Sequence, residues 1–87
     1  MYVILVYDIN VKRVGRALQI CRRYLNWVQN SAFEGELTES KLRELQLRLK
    51  KLMNEKEDSV LIYRFREESQ LEKEVMGVEK SSTDAFL

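Results

Sequence analysis

Val3-Ile4-Leu5-Val6-Tyr7 runs straight into Asp8-Ile9-Asn10, and a strongly basic segment follows at once. A β-branched apolar run bounded by polar turn residues reads as a buried strand, here about Tyr2 to Tyr7. Open sheets gather their ligands at the C-terminal end of such strands. Asp8 stands at that end. It is the only acid in the first 33 residues, whereas Lys12, Arg13, Arg16, Arg22 and Arg23 lie just downstream. A lone carboxylate beside a cationic surface suits a metal ion facing a phosphate backbone. The plainer role for Asp8 is to tighten the strand-to-helix turn, where Asp and Asn are common.

Working outward, Asn10 is placed to cap the helix that follows. Val14, Ala17, Leu18, Cys21 and Leu25 recur at helical spacing and define its core face. Lys12, Arg16, Gln19 and Arg23 fall on the opposite side, flanked by Arg13 and Arg22. Helix charges usually just face solvent, but this stripe holds no acid that could form i,i+4 pairs with it. Lys12, Arg13, Arg16 and Arg23 are therefore the candidate phosphate contacts.

Trp27 to Leu37 is extended and mixed in character, too long for one straight strand. It should bend or split into two short strands, near Asn30-Ser31 or at Gly35. Thr38 caps a second helix with Glu39 in its first turn, where the dipole favours negative charge. Leu42, Leu45, Leu49, Leu52 and Met53 share one face, and Glu44 can pair with Arg48. Asn54 to Asp58 is a charged turn, and Ser59 to Arg66 reads as the next strand. Lys73 to Met76 reads as a short strand ending at Gly77. Residues 1–77 form the domain and 78–87 a tail whose Phe86-Leu87 end suggests docking on a second subunit. The order strand, helix, extended segment, helix, strand, strand fits an α+β ferredoxin-like sandwich, with both helices on one face of an antiparallel sheet.

Composition bounds the chemistry. The 87 residues contain no histidine, which excludes imidazole catalysis and histidine–metal ligation. The three glycines form no phosphate loop, and the single cysteine, Cys21, allows neither a disulfide framework nor a cysteine zinc site. Any hydrolysis of nucleic acid would need a hard cation on oxygen ligands. One Asp8 is a poor site for such an ion, and a two-fold axis at the strand end would supply a second copy. No apolar run approaches the ~20 residues of a membrane span. Nor does the start resemble a secretory leader, so the cytoplasm is the expected compartment. The net charge of +1 conceals a split: net +4 over residues 1–33 and −3 over 34–87. The first part suits an anionic partner.

The chain resembles the CRISPR-associated protein two family, small proteins of CRISPR adaptation. The similarity rests on the opening strand ending Val6-Tyr7-Asp8-Ile9, on Lys12-Arg13-Val14-Gly15-Arg16, and on Val28-Gln29-Asn30-Ser31-Ala32-Phe33-Glu34. Asp58-Ser59-Val60-Leu61-Ile62-Tyr63-Arg64 matches too, so the resemblance spans essentially the whole chain. Ala32 departs from the family's more usual valine, a small change in packing.

The resemblance implies a homodimer in which a C-terminal strand is exchanged onto the partner's sheet. The dimer bridges CRISPR-associated protein one, the spacer integrase, and holds incoming duplex DNA. It also implies, for some members, magnesium-dependent endonuclease activity on RNA or DNA. Asp8 of both subunits would then be catalytic residue and metal ligand, with Tyr7, Asn10, Ser31 and Phe33 near the site; manganese could replace magnesium. Two functions follow, a structural DNA-binding adaptor and a metal-dependent phosphodiesterase. The scarcity of catalytic groups ranks the adaptor first. A ferredoxin-like RNA-binding module is a weaker third reading, because no strand clusters aromatics for base stacking.

Overall fold

The computed structural model describes residues 1–81. Seven elements follow one another: β1 (Tyr2–Asp8), α1 (Val11–Arg22), β2 (Asn26–Gln29), β3 (Ala32–Glu36), α2 (Glu39–Leu52), β4 (Ser59–Phe65) and a short 3₁₀ turn at Glu68–Gln70. The strands form one sheet in the order β2-β3-β1-β4. Its three ladders are all antiparallel. The opening strand is therefore central; α1 carries the chain from it past β3 to β2, and α2 carries it from β3 past β1 to β4. This is the ferredoxin-like sandwich expected from the element order.

Alternation along β1 separates the two faces of the sheet. Val3, Leu5 and Tyr7 are buried beneath the helices together with Phe33 of β3. The Tyr7 and Phe33 rings lie 5.8 Å apart. From above, α1 contributes Ala17 and Cys21 to this core, Leu25 follows it, and α2 adds Leu42, Leu45 and Leu49. Val14, Leu18, Leu52 and Met53, expected on the same faces, pack at the margin and stay partly exposed. Both caps form as the sequence indicates: Asn10 accepts from the Lys12 amide, and Thr38 from the Lys41 amide.

The long segment after α1 divides at Asn30-Ser31, where Asn30 takes a left-handed φ of 46° that Asn tolerates better than most residues. Gly35, the alternative break point, lies instead inside β3. A Cβ on it would come within 3.3 Å of Leu25 Cδ2, so its smallness lets the chain entering β2 pass closely.

One expected strand does not form among the described residues: Lys73 to Met76 joins no ladder there. After β4 this segment pairs with no strand among the described residues. Lys73 instead reaches Glu34 of β3 at 2.6 Å. Val28, Gln29 and Ala32 enclose a cavity with residues 73–76. The segment thus passes over the sheet face that the helices leave open. That face carries Ile4 and Val6 of β1 with Leu61 and Tyr63 of β4, and the last two remain about half exposed. Residues 82–87, including Phe86-Leu87, lie outside the described region.

Candidate nucleic-acid and metal site

Asp8 ends β1 on the open face, opposite Ser59 in the ladder, and is exposed. Tyr7 just before it points into the core, and its backbone amide donates to the Ser31 carbonyl at 3.1 Å. Burial, above all, raises the Tyr7 hydroxyl from its ordinary range. Asn10 follows as the cap of α1. The strand end therefore gathers Asp8, Tyr7, Asn10 and Ser31. Phe33 is fully buried and supports this end only by packing. Among the described residues, no three of Cys, Asp and Glu come close enough to hold a metal together.

The residue that organises this mouth is Asp58, which sequence reasoning left in a charged turn. Its side chain is fully buried, although the residue as a whole keeps 8 % of its surface. Oδ1 accepts from the Asn10 amide at 2.8 Å, and Oδ2 from the Asn54 amide at 2.9 Å. Arg13 grips both oxygens, with Nε 2.8 Å from Oδ2 and Nη2 3.1 Å from Oδ1. The same Nη2 also donates to Glu57 at 2.7 Å. The Arg13 guanidinium and the two amides hold the Asp58 carboxyl far below the usual carboxylate range. Arg13 is correspondingly pushed upward, first by Asp58 and then by Glu57. Buried carboxylates persist when every lone pair is used in this way.

The candidate phosphate contacts are thereby sorted. The expectation of a basic stripe without acid partners fails at Arg13, because Glu57 and Asp58 reach it from 44 and 45 residues away. Lys12, Arg16 and Arg23 keep the expected character: all three are exposed and form no ion pair among the described residues. Arg64, which lies on the helix-facing side of β4, pairs with Glu39 at 3.3 Å.

A small ferredoxin-like α+β protein, with an exposed carboxylate at the end of its central strand beside a cationic helix, is the class these features define. The family model described as CRISPR associated protein Cas2 matches residues 1–73. A CRISPR-associated endoribonuclease Cas2 2 of Archaeoglobus fulgidus is 55% identical over 80 residues, covering 92% of this chain and 87% of that relative. A crystal structure of Cas2 superposes with a TM-score of 0.85 at 51% identity, covering 93% and 91% of the two chains. Cas2 of Streptococcus pyogenes gives 0.79 at 31% identity, over 88% and 100%. The chain belongs to the CRISPR-associated Cas2 family. No helix among its described residues is long and apolar enough to cross a membrane.

Proposed function

We propose that two copies of this chain pair through their open sheet faces, and that the dimer carries nucleic acid to the CRISPR spacer integrase. The observation that carries this reading is the apolar character of the open face. Leu61 and Tyr63 are 52% and 53% exposed, and Val75 and Met76 are exposed on the segment that crosses it. So much exposed apolar surface on so small a domain calls for a cover. A self-complementary patch is what a two-fold dimer buries. In this reading residues 78–87 are its dimerisation tail, adding to the partner's sheet, and Lys73 to Met76 joins no strand among the described residues. Lys12, Arg16 and Arg23, repeated across the axis, supply a cationic surface for duplex DNA and for CRISPR-associated protein one to meet, in the cytoplasm.

A second reading is favoured by the position of Asp8 and by the name of the Archaeoglobus relative, an endoribonuclease. Asp8 shares the open face with the apolar patch, so pairing of those faces would bring two carboxylates toward one axis. Magnesium commonly takes one or two carboxylates and keeps waters and phosphate oxygens for its other positions. The oxygen-only donor set fits that ion, or manganese, and not a soft metal. Such a cation would polarise the phosphodiester and lower the pKa of an attacking water. The two Asp8 residues would hold it, and the cations of α1 would orient the backbone.

Asp8→Asn tests both readings, since it removes the charge and keeps the shape. Light scattering should give about twice the chain mass for the wild type and the variant alike, as two-fold pairing predicts. Spacer acquisition should survive the substitution, while any magnesium-dependent cleavage disappears. A monomeric wild type would refute the adaptor. Acquisition lost together with cleavage, in a variant that still dimerises and binds its integrase, would make the enzyme the primary function.

A further inference from the structure

A groove of about 200 Å³ lies between α2 and β4, lined by Gln46, Leu49, Lys50, Met53, Val60 and Ile62. Val60 and Ile62 stand on the helix-facing side of β4, yet they stay partly exposed, as do Leu52 and Met53 above them. The cause is topological. Among the described residues β4 pairs only with β1, so its other edge and the groove beside it face outward together. Lys50, at the rim, is exposed and forms no ion pair among the described residues. One occupant would therefore meet unpaired main-chain donors and acceptors, an apolar slot for a single large side chain, and a cation beside it. An extended segment matches all three when it carries an apolar side chain and an acid two positions apart, because alternate side chains point the same way.

The sequence that follows the described residues has this form: Ser82-Thr83-Asp84-Ala85-Phe86-Leu87, with Asp84 and Phe86 two positions apart. Its approach is set by the segment before it, since residues 73–76 lie beside Val28 and Gln29 on the open face. When open faces pair about a two-fold axis along the strands, the order β2-β3-β1-β4 runs in the opposite sense in the second copy. That sets β2 of one copy over β4 of the other, and the crossing segment leaves the interface at the second copy's β4 edge. The ten residues from Gly77 to Phe86 span at most ~33 Å, which equals the molecule's longest extent of 33 Å, so reach does not limit the contact.

We propose that Phe86 of each copy seats in the α2–β4 groove of the other copy, with Asp84 meeting Lys50 at the rim. The inference rests on the pairing of open faces and adds a second contact, separate from it, on the helix side of the sheet.

The test uses the full-length chain, with the dimer dissociation constant read by analytical ultracentrifugation over a dilution series. Phe86→Ala should raise that constant about a hundredfold, about tenfold for each of the two seated rings. Lys50→Glu should weaken the dimer about threefold for each rim contact, and adding Asp84→Lys should restore it. Lys50 is exposed, so its replacement leaves the core alone. Position is read by cross-linking: Lys50→Cys with Asp84→Cys should give a covalent dimer under mild oxidation. Lys41→Cys with Asp84→Cys, on the opposite side of α2, should give none. A wild-type dimer whose constant is unmoved by Phe86→Ala would overturn the inference while leaving open-face pairing intact. So would the Lys50→Cys and Asp84→Cys pair closing within one chain or not at all. A monomeric wild type would overturn the pairing itself, and this groove contact with it.

Discussion

The pairing of Arg13 with Glu57 and Asp58 gives a quantitative prediction about salt. Each phosphate neutralised on duplex DNA contributes about 0.9 to the slope of log affinity against log salt. If Lys12, Arg16 and Arg23 each meet one phosphate, replacing all three with Ala should reduce the slope by about 2.7 per engaged chain. Over a fourfold rise in salt the wild type then loses about fortyfold more affinity per engaged chain than the triple variant. Arg13→Gln should leave the slope unchanged, because its guanidinium is already held at 2.7–2.8 Å by two carboxylates. Fluorescence anisotropy on one duplex across a salt series reads both slopes, with a thermal melt to show that each variant is folded. A folded Arg13→Gln protein whose slope falls by as much as that of Arg16→Ala would refute the reasoning, since the ion pair would then open to meet DNA.

Three further outcomes follow from the buried groups. The Asp58 carboxyl is depressed in the folded state, so its stabilisation is present above the unfolded value of ~3.9 and is lost as pH falls below it. The urea midpoints of wild type and Asp58→Asn should accordingly lie well apart near neutral pH and converge in acid; a constant gap would count against the ion pair. Burial pushes the Cys21 thiol up to about 12, so the folded protein should resist alkylation at mildly alkaline pH and react once unfolded in urea. Prompt labelling of the native chain would contradict the packing of α1. Leu45 is fully buried between helix and sheet, and Leu45→Ala should destabilise by about 2–5 kcal/mol. Calorimetry should show its Tm lowered by roughly 4–8 °C for each kcal/mol in a domain this size.

Local signals were legible, and contacts between distant segments were not. Asn10 and Thr38 declare their caps through residue type and position alone, and both caps form. The sequence offers two break points in the long extended segment, Asn30-Ser31 and Gly35, and the hairpin turns at the first, where asparagine tolerates the backbone it needs. Asp8 was visible as a carboxylate ending an apolar strand. Asp58 looked like any turn acid, because its partners, Asn10 and Arg13, lie 48 and 45 positions away and no local pattern connects them. Lys73 to Met76 was misread because a strand requires a neighbour, and periodicity cannot say whether one is at hand. The groove beside Lys50 was equally hidden, since it exists only where α2 lies against β4.

Asp58 also bears on the order of events as the chain leaves the ribosome. The first fifty residues carry Asp8 and all five cations of the basic segment, but neither the carboxylate that fastens Asn10 and Arg13 nor the strand that completes one side of β1. Until β4 emerges, the central strand has an open, apolar edge, the kind that invites mispairing with other chains. Residues 58–65 supply the anchor and the covering strand together. A partly synthesised chain therefore lacks the fastened mouth, and competence at the strand end arrives in one step, once β4 has emerged.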